Sequence, residues 1–130
     1  MSRSWLLYLD DLIASAQKIE RLTGANTCAE FAANEAVFDA VLFNLQVIGE
    51  AVKNLPEEAR AGLSQAHRSG PARIRDLIAH RYFALDPDIV WDVARRHVPA
   101  LCAEAVSLRA RYGDGDGDGD GDGNVAGIPQ

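Results

Sequence analysis

Residues 27–54 read TCAEFAANEAVFDAVLFNLQVIGEAVKN, and the fold turns on how this stretch is taken. Thr27 and Glu30 stand three apart, the spacing of a capping box in which each side chain accepts from the other's backbone N–H. Behind them Phe31, Val37, Phe38, Val41, Leu42, Leu45, Ile48 and Val52 keep to one side of a 3.6-residue period. That pattern predicts one long amphipathic helix from Thr27 to about Asn54. On the N-terminal side, Trp5, Leu6, Leu9, Leu12, Ile13, Ala16, Ile19 and Leu22 repeat the period from Ser4 to about Leu22, with Gly24 as a stop.

Beyond Asn54 the punctuation is equally plain. Pro56 blocks continuation, and the acids of NLPEEAR suit the first turn of a short third helix. HRSGP at 67–71 is a break, after which a helix is predicted from about Ala72 to Phe83. Asp86 as N-cap and Pro87 at the first helical position open the last helix, which should reach about Tyr112 and kink or restart at Pro99. No segment alternates at period two and no hairpin signal separates apolar runs. The expected class is all-α: an antiparallel up-and-down bundle of four main helices plus one short one.

A chain of 130 residues has room for one hydrophobic core, and 48% hydrophobic with 25% charged residues is ordinary for a globular protein. The net charge of −6 is misleading, because Asp114, Asp116, Asp118, Asp120 and Asp122 lie together in the tail and leave 13 basic against 14 acidic residues in 1–112. Bulk charge therefore gives no argument for nucleic-acid binding; phosphate contacts would need a local cluster. The domain is expected to be 1–112, followed by a solvated, disordered Gly-Asp tail over 113–130. The tail lacks the bidentate Glu at loop position twelve and the flanking helices of a calcium-binding EF-hand, so no metal site is assigned to it. Cys28 and Cys102 form neither a CxxC pair nor a ligand pattern and are read as reduced, packed thiols. Acids at Asp10 and Asp11 precede any signal-length apolar run, and no run approaches the ~18 residues of a membrane span. The expected location is cytoplasmic.

Residues 73–83, RIRDLIAHRYF, crowd polar groups into a short helix. On a wheel of about 100° per residue, Tyr82 falls within roughly 20° of Arg75, and Asp76 and His80 lie about 40° apart. The arc offers a guanidinium for phosphate, an imidazole that moves protons near neutral pH, and a carboxylate that can fix its tautomer. The same residues also suit a solvated face or a structural ion pair, and spacing leaves both readings open. Glu50, mid-helix after the small Gly49, is expected to be partly buried with a basic or hydrogen-bonding partner in a supporting role. His67 and His97 share no ligand spacing with His80 and are read as surface residues. Trp5 and Trp91, on periodic apolar faces, are read as packing residues.

The run Arg75-Asp-Leu-Ile-Ala-His80-Arg-Tyr82 resembles the Arg-x4-His-x-Tyr motif of HEPN-domain proteins, specifically the HepT-like toxins. FNLQVIGEAVKNLP at 43–56, with its Gly49-Glu50-Ala51 centre, and FALDPDIVWDV at 83–93 resemble that family's flanking segments in the same order. The resemblance covers about residues 5–112. One departure is Pro71-Ala72, where many relatives have Pro-Trp.

The resemblance implies a helical homodimer with both motif helices on a shared cleft, and a metal-independent, cofactor-free endoribonuclease acting on RNA. It implies that His80 is general acid or base, that Arg75 stabilises the transition-state charge, and that Asp76 orients His80. It further implies a toxin–antitoxin pairing in which a minimal nucleotidyltransferase of the MntA type transfers AMP to Tyr82, placing charge and bulk where RNA should bind. Tyr82 as a structural hydroxyl at the dimer seam is the other reading. The alternative for the whole chain is a non-catalytic helical regulatory subunit of a nucleotidyltransferase complex.

Overall fold

The computed structural model describes residues 4–64, 67, 70 and 85–115, with 113–115 as backbone only. The helix expected over 72–83 and the tail from 116 onward lie outside the described residues. Among the described residues every regular element is helical, and the chain forms the expected all-α bundle.

Helix α1 spans Trp5–Thr23. The Ser4 hydroxyl accepts from the backbone N–H of Leu6 and starts it. Leu9, Leu12, Ala16 and Ile19, spaced by three, four and three residues, all turn inward. Gly24 ends the helix in ordinary right-handed geometry, with φ −63°. Its value lies in close approach: a Cβ there would meet the Glu20 carbonyl oxygen at 2.8 Å.

The capping box forms as the sequence predicts: Thr27 Oγ1 accepts from Glu30 N–H at 3.1 Å, and Glu30 Oε1 accepts from Thr27 N–H at 2.9 Å. The single long helix expected behind it, however, is two. Helix α2 covers only Cys28–Ala33, and α3 runs Glu35–Lys53. Asn34 divides them because its backbone is extended (φ −109°, ψ 96°) and its side chain caps α3, accepting from Val37 N–H at 3.1 Å. Phe31 still reaches Phe38 across the break, with ring centroids 5.4 Å apart. The short helix α4 is Glu57–Arg60.

The C-terminal stretch begins with α5, Pro87–Asp92, capped by Asp86. A π-turn continues it over Val93–His97, and α6 runs on over Val98–Gly115. The disturbance expected at Pro99 sits just ahead of it: Val98 N–H donates to the Val93 carbonyl five residues back, widening the turn that precedes the proline.

Three contacts show that α1 and this last stretch run antiparallel. Trp5 meets Tyr112 edge-on at 5.1 Å, Asp10 accepts from Arg109 at 2.8 Å, and Glu20 accepts from Arg95 at 2.9 Å. Helix α1 packs against both α3 and α6. Between them lies one core, to which α3 gives Val41, Leu42, Leu45, Ile48 and Val52 and the last stretch gives Val90, Ala94, Val98, Leu101, Ala105 and Leu108. Trp5 and Trp91 pack on its edge, as read from their periodic faces. None of the helices, among the described residues, is long and apolar enough to cross a membrane.

Candidate functional site

Arg75, Asp76, His80 and Tyr82 lie outside the described residues. The frame on either side of them is described, together with Glu50. On α3 the buried Gly49 is followed by an exposed Glu50. One residue is about 100° of helix rotation, enough to carry the carboxylate from the core side to solvent. Glu50 therefore needs no compensation for burial; Asn54 donates to its carbonyl at 2.8 Å and to Oε2 at 3.3 Å.

The approach to the motif segment is held by one carboxylate. After α4 the chain turns through Gly62, where a Cβ would come within 2.9 Å of Leu108 Cδ1 and 3.1 Å of an Arg111 guanidinium nitrogen, so this turn lies directly on α6. Leu63 is buried in the core. Glu104 Oε1 then accepts from Ser64 N–H at 3.1 Å and lies 2.9 Å from His67 Nδ1, while His67 N–H closes a turn onto the Ser64 carbonyl at 3.0 Å. His67 is buried, at 9% exposure, and not on the surface as its sequence context suggested. Burial pushes the Glu104 carboxyl up, but the hydrogen bonds from His67 and Ser64 outweigh it and hold the group below the usual carboxylate range. The His97 ring stands edge-on to His67 at 6.3 Å, and its Nε2 lies 3.6 Å from Asp92 Oδ2. An open cleft of about 320 Å³ lies beside this anchor, lined by Gly62, Ala103, Glu104, Ser107, Leu108 and Arg111.

The exit from the motif segment is equally fixed. Leu85 packs on the core, and Asp86 caps α5 by accepting from Asp88 N–H at 2.9 Å. Helix α5 is tied to α2 through the Cys28 thiol, which donates to Asp88 Oδ1 at 3.3 Å, and through Phe31 against Trp91, with centroids 5.3 Å apart. Partial burial and then the Asp88 carboxylate raise the Cys28 thiol above its ordinary range, which keeps it protonated and a poor nucleophile. Cys102 is likewise raised by burial, and both cysteines are free, as expected of packed thiols.

Arg95, on the π-turn, reaches back to α1. Its guanidinium donates to Glu20 at 2.9 Å and to the Thr23 hydroxyl at 3.0 Å, while that buried hydroxyl donates to the Ile19 carbonyl at 2.8 Å. The buried Thr23 hydroxyl at the end of α1 thus both donates and accepts. Among the described residues no group of three or more His, Cys, Asp and Glu is arranged to hold a metal ion.

The sequence signal for the anchor was absent, because His67 and Glu104 stand 37 residues apart and neither belongs to a local motif. The exit side from Leu85 to Val93, by contrast, falls in a segment that resembles the family pattern.

Comparison with known proteins agrees with that resemblance. The family described as "Ribonuclease HepT-like" matches residues 12–108. A protein of Methanocaldococcus jannaschii named "Putative RNase" is 38% identical over 92 residues, covering 71% of this chain and 76% of its own. The "Probable ribonuclease HepT" of Thermococcus cleftensis is 30% identical over 109 residues, covering 84% of this chain and 99% of its own. A second M. jannaschii protein, named "Gamma-glutamylcyclotransferase and putative RNase", is 31% identical over 108 residues; the chain spans about half of that relative's length, 49%. No solved structure matches the chain. With three quarters of its length matched by one family and a relative of that family aligned nearly end to end, the chain belongs to the HepT-like branch of the HEPN ribonucleases.

Proposed function

We propose that the protein is an endoribonuclease that cleaves RNA without a metal ion, using Arg75 and His80. The observation that carries the reading is the spacing Arg75-x4-His80-x-Tyr82 inside a chain of the HepT-like family. The ribonuclease names of its relatives support it.

In this reading the RNA 2′-hydroxyl attacks the neighbouring phosphorus and the 5′-oxygen leaves. His80 takes the proton from the former or gives one to the latter, and Arg75 stabilises the added charge on the phosphorane-like transition state. Asp76 holds the His80 tautomer. Two subunits share the cleft, so that two arginines and two histidines supply locally the positive potential that 13 basic and 14 acidic residues in 1–112 do not supply in bulk. A minimal nucleotidyltransferase partner silences the toxin by moving AMP onto Tyr82, beside Arg75. Glu50, exposed on α3, has a supporting role. The protein works in the cytoplasm, with 1–112 as its domain.

The test is total RNA incubated with the purified protein in EDTA, beside His80→Ala and Arg75→Ala, after mass spectrometry has shown Tyr82 unmodified. Cleavage by wild type that both variants lose is the expected result. Intact RNA with folded, unmodified wild type would overturn it in favour of a regulatory subunit of a nucleotidyltransferase. Addition of the nucleotidyltransferase and ATP should add one AMP, lost in Tyr82→Phe.

A further inference from the structure

We infer that Glu104 is a positioning residue which, acting through His67, fixes where the chain begins its approach to Arg75 and His80. The inference rests on the ribonuclease reading for its consequence in turnover, while the contacts it starts from, among Ser64, His67 and Glu104, are all described. A single oxygen, Glu104 Oε1, receives both the Ser64 N–H and the His67 imidazole. The two donors come from the ends of one turn, which the His67 N–H to Ser64 carbonyl bond closes. That turn lies close on α6, where a Cβ on Gly62 would come within 2.9 Å of Leu108 Cδ1, and Leu63 beside it is buried in the core.

His67 precedes Arg75 by eight residues and His80 by thirteen. At the far side Asp86 and Pro87 fix the start of α5. The described chain on the two sides of the motif is therefore held at two points, one of which is a hydrogen-bonded clamp. The other is a helix cap backed by aromatic packing. The clamp is the more readily released, since it depends on one side chain. Its His67 side is buried, whereas the Glu104 side chain is 30% exposed, so a change at Glu104 removes the clamp without opening the core.

Removing the acceptor should displace the motif residues without touching them, and displacements on the order of 1 Å cost up to ~100-fold in rate. The experiment compares Glu104→Ala, Glu104→Gln and His67→Gln with wild type in single-turnover and steady-state RNA cleavage. Hydrogen exchange of the 73–83 peptide is followed in parallel. Glu104→Ala should lower kcat by about 10- to 100-fold with KM within about twofold, and should speed exchange in 73–83 while α1 and α3 peptides stay protected. Glu104→Gln keeps an acceptor oxygen and should recover most of the turnover. Glu57→Gln, in an exposed pair on α4, serves as a control that leaves turnover unchanged.

Equal kcat and equal 73–83 exchange in Glu104→Ala and wild type would overturn the inference. Should Glu104→Ala not fold, His67→Gln carries the same comparison. If wild type itself fails to cleave, the ribonuclease reading falls, and the exchange of 73–83 in Glu104→Ala alone decides whether the clamp positions that segment.

Discussion

Replacing Phe31 by alanine is the sharpest probe of how the bundle is joined. The ring is completely buried and lies between Phe38 and Trp91, at 5.4 and 5.3 Å between centroids and at tilts of 50° and 44°. It is the one side chain of the short α2 that reaches the core, so it ties α2 at once to α3 and to α5. Truncating a buried Phe to Ala costs about 3–5 kcal/mol, made of lost transfer energy and the cavity left behind. Tilted aromatic pairs add about 0.5–1.5 kcal/mol each beyond their buried area, which places this site toward the upper half of that range. With about 4 kcal/mol lost and a urea m-value of about 1.5 kcal/mol/M, the unfolding midpoint should fall by roughly 2.5 M. The assay is urea unfolding monitored by far-UV circular dichroism at one fixed protein concentration. A double-mutant cycle with Trp91→Leu should return a coupling of about 1 kcal/mol. A loss below ~1.5 kcal/mol for Phe31→Ala would refute the reasoning, since a ring enclosed on two sides does not leave so cheaply.

Three further outcomes are expected. Asn34→Ala should cost about 1 kcal/mol in the same urea assay, because Val37 N–H loses its acceptor, while Asn34→Asp, which keeps one, should cost little. Glu104 titrates lower in the folded chain than in the unfolded one, so its contribution to stability is full above the ordinary carboxylate pKa and is lost as pH falls through the lowered folded value. Thermal melts between pH 7 and pH 3 should show that loss in wild type and a flatter acid limb in Glu104→Gln. Cys28 should alkylate slowly with iodoacetamide at neutral pH, and Asp88→Asn should speed it by removing the carboxylate that raises the thiol.

How far the chain could be read without its structure depended on whether a signal was local. Thr27 and Glu30, Asp86 and Pro87, and the 3–4 spacing of Leu9, Leu12, Ala16 and Ile19 all act within one or two turns, and each formed as read. Asn34 escapes a sequence reading because the apolar period runs straight through it: Phe31 and Phe38 keep the same side although the backbone leaves the helix for one residue. Pro99 announces a disturbance, but the widened turn lies upstream, where the carbonyls that its ring would crowd are found. His67 looks like a surface residue in a Gly-Pro break because its partner waits on another helix. The smallness of Gly49 suggests burial for its neighbour too, yet Gly49 alone is buried and one step of rotation exposes Glu50. The polar residues of 73–83 are legible as a motif and as a family likeness, and they lie outside the described residues.

The π-turn at Val93–His97 has a consequence for length. Along the last stretch the core positions Val90, Ala94, Val98, Leu101, Ala105 and Leu108 are spaced four, four, three, four and three. These steps take 18 residues through five turns, the 3.6 per turn of a regular α-helix, so the seam keeps its ordinary spacing although Val98 N–H donates to the Val93 carbonyl five residues back. Deleting the exposed Arg96 would leave 17 residues over the same five steps, about 100° short of five regular turns, so the seam against α1 fixes the length of this stretch even where the turn is widened.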